Sequence, residues 1–262
     1  MVKAHSKRVQ TIYDLVAENY ASGASFFRTV ARQLILSLPV TGGRVLDVGC
    51  GRGAVADQLA GRADLEVYAT DLSLQMLRAN QAAAGGVWTQ RQANAVGEAL
   101  PFADGVFDAV LCSQALPFFS DPAEGLREFV RVARSGGSVA VSTNGRPDAR
   151  LGWYLTLLRD IPQGPPLVTH PLAGTKALRA AFESTGLGGV TVARKRIRTL
   201  FSTPDDFWSF CLSTGLRASL DQLGDAQLSS FRRRVEAGFP ALREGDDHCV
   251  YYDVYIATGT AP

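Results

Sequence analysis

The chain has 262 residues, 46% apolar and 20% charged, enough to bury one large α/β core or two small ones. A formal net charge of +2 is near neutral for that size and points to neither a nucleic-acid nor a membrane-surface partner. No stretch approaches the ~20 apolar residues of a membrane span, Met1 to Gln10 hold no apolar leader core, and Cys50, Cys112, Cys211 and Cys249 form no C-x-x-C pair, so the expectation is a cytoplasmic chain without a metal site.

Val9, Ile12, Leu15, Val16 and Tyr20 predict a helix over 8–20. Phe26, Phe27, Val30, Leu34, Ile35 and Leu38 predict a second over 25–38, with Ser25 as N-cap and Pro39 as stop. Strands and helices then alternate. Arg44–Gly49 reads as a strand with a helix from about Gly53; Leu65–Thr70 is the next strand, and Ser73 caps a helix through Ala83. Strands follow at Val87–Gln92 and Val106–Cys112. Asp121-Pro122-Ala123-Glu124 opens a helix, with Asp as N-cap, Pro at N1 and Glu at N3, and Gly136-Gly137 stops it before the strand Ser138–Ser142. This alternation predicts a parallel sheet covered on both faces, wound by right-handed crossovers into a doubly wound α/β fold.

Past residue 145 the rhythm loosens. Pro162, Pro165, Pro166 and Pro171 mark an irregular connection. A helix is predicted at Thr175–Thr185, a strand at Gly189–Leu200, and a helix from Thr203-Pro204-Asp205-Asp206 carrying Phe207, Trp208 and Phe210. An amphipathic helix over 225–239 and a last strand, His248–Thr258, complete the pattern. No repeat or linker breaks it, so 1–262 reads as one domain.

The informative stretch is Asp47-Val48-Gly49-Cys50-Gly51-Arg52-Gly53. Alternate glycines after a buried strand permit a tight turn and close approach of a ligand to backbone N–H groups. Gly49, Gly51 and Ala54 also satisfy the dinucleotide pattern, so an NAD(P)-dependent oxidoreductase competes. Asp47 separates the two. A carboxylate beside the turn repels a pyrophosphate, by on the order of 1 to a few kcal/mol at intermediate dielectric. S-adenosylmethionine has no phosphate and carries an ammonium and a sulphur cation, which suit that carboxylate. Asp71, ending the second strand, is placed to accept the ribose hydroxyls; its structural alternative is a charge at the N-terminus of the helix capped by Ser73.

With these residues the chain resembles the class I S-adenosylmethionine-dependent methyltransferases, most closely the small-molecule, ubiquinone/menaquinone-biosynthesis type. The resemblance covers about residues 10–145 well and the rest loosely. It is carried by Asp47-x-Gly49-x-Gly51-x-Gly53, by Glu98-Ala99-Leu100-Pro101-Phe102 with Phe107-Asp108-Ala109-Val110, by Arg131-Val132-Ala133-Arg134-Ser135-Gly136-Gly137, and by Tyr13 to Tyr20 as a lid helix. It implies a seven-stranded, mostly parallel sheet with an antiparallel last strand, His248–Thr258 beside Gly189–Leu200. Residues 1–40 would be lid helices, 41–145 the cofactor core and 146–262 the substrate-pocket region. It also implies S-adenosylmethionine as cofactor and S-adenosylhomocysteine as product. The contacts would be Cys50 in the loop, Leu72 and Met76 on ribose and adenine, Asn94-Ala95 on the adenine amino group, Ser113 and Gln114 at the methionine end, and Tyr20 as lid. Many relatives have a histidine in the segment Ala115-Leu116-Pro117-Phe118-Phe119; this chain has none there.

Methyl transfer is an in-line displacement that needs alignment above all, and a base only when the nucleophile must lose a proton. His170 and His248 are the candidate bases, with Asp246 and Asp247 behind them, and His5 falls in a terminus expected to be disordered. Trp153, Tyr154, Phe201, Phe207, Trp208 and Phe210 are candidate walls for an apolar or aromatic acceptor, or else core residues of the added helices. The expected reaction is methylation of a small molecule, with O-methylation favoured. The alternatives are a same-fold enzyme performing rearrangement or cyclisation of a natural product, and a cofactor-sensing module. Arg194, Lys195, Arg196, Arg198 and Arg232–Arg234 read as solvated faces rather than an RNA surface. Whether the chain is a monomer or a homodimer is left open.

Overall fold

Strand β1, Gly43–Val48, is buried on both faces: Val45 enters one core, while Leu46 and Val48 enter another. The period of two does this, because successive side chains leave a strand on opposite sides. The computed structural model describes residues 2–18, 20, 24–38, 41–59, 61–83, 91–161, 172–214 and 216–262. Around β1 run helices α1 (Val2–Val16), α2 (Ala24–Leu36) and α3 (Ala56–Leu59), strand β2 (Leu65–Asp71), helix α4 (Leu74–Ala83), and strands β3 (Gln92–Asn94) and β4 (Phe107–Ser113). Next come α5 (Pro122–Val132), β5 (Ala133–Pro147), α6 (Gly152–Arg159), α7 (Thr175–Glu183), β6 (Gly188–Phe201), α8 (Pro204–Leu212), α9 (Arg217–Leu220), α10 (Asp225–Gly238), β7 (Arg243–Glu244) and β8 (Asp247–Thr260).

The sheet order is β3-β2-β1-β4-β5-β8-β6, with the two-residue β7 paired to β8. The pairs from β3 to β5 are parallel, and β8 runs antiparallel to both β5 and β6. The expected seven strands are present, with β7 a marginal addition. One core lies against α2, α3, α6, α8 and α10; the other lies under α5 and α7. Helix α1 joins neither, its Val16 packing with Ala17 and Met76. Among the described residues no helix is long and apolar enough to cross a membrane.

Local chemistry sets the helix ends. Asp121 accepts from the Ala123 and Glu124 amides at the start of α5, and Thr203 with Asp206 forms a capping box on α8. Several boundaries differ from expectation. Helix α5 stops at Val132, not at the glycine pair, because Ala133 is already extended and pairs with Phe107. Gly136 instead bends β5 at φ 72°. Ser25 lies inside the first turn of α2, where its carbonyl accepts the Thr29 hydroxyl at 2.8 Å, so it is not the N-cap. The segment 51–55 forms turns before α3 begins at Ala56. Pro39, most of the expected strand 87–92, and the connection holding Pro162, Pro165, Pro166, His170 and Pro171 lie outside the described residues.

Candidate functional site

The carboxyl ends of β1 and β4 mark the switch point of the sheet, where ligands of doubly wound folds bind. The chain leaving β1 turns at once, with the Gly49 and Cys50 amides both donating to the Thr70 carbonyl, at 2.8 and 3.0 Å. Gly49 has φ 68°, and a Cβ there would lie 2.3 Å from that of Ala115, so the turn is pressed against the segment leaving β4. Gly51 has φ 53°, and a Cβ there would meet only Tyr20 Cε1, at 3.8 Å; its free side faces the crevice.

Two cavities open on this loop and share Tyr20, Gly49, Gly51 and Ser113 in their walls. The first encloses about 750 Å³, counting space open to solvent, and is bounded by Asp71, Leu72, Met76, Ala95 and Gln114. The second encloses about 880 Å³ on the same measure and holds Asp47 and Asp57 with Arg28 and Arg52.

Asp47 is 1% exposed, and among the described residues neither of its carboxylate oxygens has a hydrogen-bond partner. Burial pushes it up to about 8; Asp71 and Asp57 add to the rise, and the Ala56 amide, outside hydrogen-bond geometry, offsets part of it. Asp71 differs: one oxygen accepts the Gly51 amide and the other the Ser73 amide, each at 2.8 Å. Burial still raises it to about 6, against those two donors and with Asp14 adding to the rise. Gln114 leaves β4 at φ 63°, left-handed for a non-glycine residue. Its amide and its Nε2 both donate to Ser142 Oγ, at 3.2 and 3.1 Å, leaving Oε1 buried and unpartnered.

Helix α1 roofs the first cavity. Asp14 Oδ1 accepts the Ser73 hydroxyl at 2.5 Å, Ser6 Oγ meets Ser120 Oγ at 2.9 Å, and His5 Nε2 donates to the Phe118 carbonyl at 3.1 Å. His5 therefore sits in a docked helix rather than a loose terminus. Tyr20 stacks on Phe27, centroids 5.1 Å apart, and Arg52 donates to the Glu18 carbonyl at 3.0 Å.

Of the expected cofactor residues, Tyr20, Asp47, Gly49, Cys50, Gly51, Asp71, Leu72, Met76, Ala95, Ser113 and Gln114 line one cavity or both. Gly53 and Asn94 line neither. Gly53 turns against Asn80, and Asn94 spends its amide on the Asp71 and Leu72 carbonyls, at 2.9 and 2.8 Å. Asn94 thus fastens the loop after β2. His248 lies in β8 with its ring stacked on Phe239 at 4.4 Å, away from both cavities. Asp247 beside it pairs with Arg198 at 2.8 Å. Trp153, Tyr154, Phe201, Phe207, Trp208 and Phe210 belong to the core under α6, α8 and α10 and line neither cavity. They share one core cluster with Ile197 of β6 and Val250, Val254 and Ile256 of β8. Sequence reasoning missed Arg28, Arg52 and Asp57 in the second cavity, and Val9, Phe118 and Phe119 in the first. Only the spacing of Arg52 and Asp57 from the glycine loop could have drawn attention to them.

Dinucleotide-binding sheets run 3-2-1-4-5-6 in parallel. Here an antiparallel strand enters between β5 and β6, and an unpaired acid stands behind the glycine turn, which together define the class I methyltransferase fold. Residues 46–141 match the methyltransferase domain family. The chain is 34% identical over 160 residues to a malonyl-[acyl-carrier protein] O-methyltransferase of Pseudescherichia vulneris, covering 58% of this chain and 61% of that one. It is 33% identical over 150 residues to a demethylmenaquinone methyltransferase of Corynebacterium urealyticum, covering 54% and 61%. It therefore spans about three fifths of the length of each of these curated relatives. In three dimensions it is similar to the [4+2]-cyclase SpnF, with a TM-score of 0.62 at 19% identity over 98% of this chain and 97% of that one. Over the region matched in sequence the chain is similar to the class I S-adenosylmethionine-dependent methyltransferases.

Proposed function

We propose that this chain transfers a methyl group from S-adenosylmethionine to a small, largely apolar acceptor. The observation that carries the reading is Asp47, a buried carboxyl with no protein partner, in a cavity that also holds two arginines. A buried polar group left unpaired costs about 1–3 kcal/mol, more when charged, which a cationic ligand removes. Asp47 would receive the ammonium of the methionine end, and Arg28 and Arg52 would face its carboxylate. Asp71 keeps lone pairs for the ribose hydroxyls while it holds the Gly51 amide. Leu72, Met76 and Ala95 would pack on the base. When bound, the cofactor supplies an electrophilic methyl carbon on a positive sulphur.

The chain's own part is to align and to exclude water. Tyr20 and α1 cover the crevice, and Val9, Tyr13, Phe118 and Phe119 give the first cavity an apolar wall. Gln114 Oε1, on an amide whose Nε2 donates to Ser142 Oγ, is a neutral acceptor that can orient a protic nucleophile. Its name says that the O-methyltransferase relative methylates oxygen; an oxygen nucleophile is our preferred reading here. Where that oxygen carries a proton, His170 is the remaining candidate base.

Calorimetric titration with S-adenosylhomocysteine, NAD and NADP tests the cofactor, and the expected result is binding of the first alone. A screen of small hydroxylated and carboxylated acceptors for S-adenosylhomocysteine release tests transfer. Conversion of an acceptor without that release would replace methylation by rearrangement or cyclisation. A chain indifferent to S-adenosylhomocysteine would end the proposal.

A further inference from the structure

Asp47 has no cation of its own. Its carboxyl group is faced by Asp71 from β2, Asp57 from α3, Cys50 from the glycine loop and Cys112 from β4, all acidic or neutral groups. Arg28 from α2 and Arg52 from the loop share its cavity, yet both act on Asp57, and among the described residues no hydrogen bond or ion pair reaches Asp47. A carboxylate at 1% exposure, with only the Ala56 amide nearby and that outside hydrogen-bond geometry, is among the costliest groups to leave charged.

On the cofactor reading above, we infer that ligand binding and Asp47 ionisation are one event: seating the ligand's α-ammonium against this carboxyl expels its proton to solvent. The O–H bond of Asp47 breaks, the proton goes to the buffer, and the carboxylate left behind pairs with the ammonium. No electrons change hands. In the free protein, burial and the two neighbouring carboxylates keep the proton on Asp47 up to about pH 8, so the release occurs across the neutral range. Arg28 and Arg52 do not substitute for the proton, because their charges act on Asp57 and they are left for the ligand's own carboxylate. The glycine loop therefore reads the amino-acid end of the ligand separately from the adenosine end, where Asp71 is already held by two amides.

The experiment is titration calorimetry of the full chain at about pH 7 in buffers of different ionisation enthalpy, from which the number of protons released is obtained. Two ligands are compared: S-adenosylhomocysteine, and 5′-methylthioadenosine, which has the adenosyl-sulphur part without the amino-acid end. Expected is close to one proton released per S-adenosylhomocysteine and almost none for 5′-methylthioadenosine. Asp47→Asn should abolish the release, with its fold checked by thermal melting. The affinity of the wild-type chain for S-adenosylhomocysteine should rise by up to about tenfold per pH unit between about pH 6 and 7.5. Tight binding of S-adenosylhomocysteine without proton release, or equal release with both ligands, overturns the inference and leaves the cofactor reading standing. No binding of either ligand overturns both. The two-ligand comparison needs no variant, so a poorly folded Asp47→Asn leaves the test decisive.

Discussion

The carboxylate of Asp71 holds the Gly51 amide at 2.8 Å, so the acid ending β2 shapes the loop that leaves β1. Its other oxygen takes the Ser73 amide at the start of α4, and the Ser73 hydroxyl in turn reaches Asp14 on α1. One carboxylate therefore ties together the glycine turn, the helix after β2 and the roof.

Asp71→Ala should weaken S-adenosylhomocysteine binding by on the order of 1.5–3 kcal/mol, the range for a charged hydrogen bond. Because it also frees the Gly51 and Ser73 amides, the melting temperature should fall with it. Calorimetry and thermal melting check the two effects; unchanged affinity removes Asp71 from ribose recognition.

Gly51→Val should abolish cofactor binding in a chain that still melts cooperatively. The left-handed backbone penalises any β-carbon by roughly 1–2 kcal/mol, and the new side chain points toward Tyr20 across the crevice. Gly49→Ala should behave differently, because its Cβ would collide with Ala115 Cβ at 2.3 Å and push the segment after β4. Its melting temperature should fall further than that of Gly51→Val.

The ligand-free chain should lose stability as pH rises from about 5 to above 8. Asp47 is raised in the folded protein from 3.8 to about 8, and Asp71 to about 6, so the folded state holds their protons more tightly than the unfolded one. That stabilisation is complete below the unfolded value and is lost as pH passes the folded values. Asp108, Glu128 and Asp148 are lowered by arginine partners and act in the opposite sense, only at more acidic pH. Thermal melts at several pH values, with Asp47→Asn giving a flatter profile, provide the measurement.

Phe207→Ala should cost about 3–5 kcal/mol of stability and leave the S-adenosylhomocysteine affinity of the folded chain unchanged. Phe207 is 1% exposed and meets Trp153, Tyr154, Phe201 and Phe239 ring to ring. A selective loss of cofactor binding without loss of stability would return these rings to the crevice wall.

Much of the fold was legible because strands and helices announce their period, and Asp47, the glycine loop and Asp71 lie on one βαβ unit whose geometry is local. What periodicity encodes is that a residue is buried, not what it is buried against. Trp208 and Phe210 have the same apolar signal whether they line a ligand or a core, and only their packing with residues distant in sequence, such as Ile197, Val250 and Val254, decides for the core. The Asn94 amide donates to carbonyls that sit 22 and 23 residues earlier in the chain, a tie that no local pattern shows. The docking of α1 depends on contacts between Asp14 and Ser73, His5 and Phe118, and Ser6 and Ser120. Those pairs are separated by 59, 113 and 114 positions, and no local pattern foretells them.

Strand β8 is made after both of its neighbours and is then threaded between them, matching β5 from Ser138 to Pro147 and β6 from Gly188 to Phe201. During synthesis a nascent chain that stops short of Asp247 has raw edges on β5 and on the inner side of β6, which β8 covers in the finished sheet. Those edges are templates for joining other chains. Losing the segment Asp247–Thr260 to a nonsense codon or a protease would therefore yield a sticky, aggregating product rather than a slightly smaller version of the same fold.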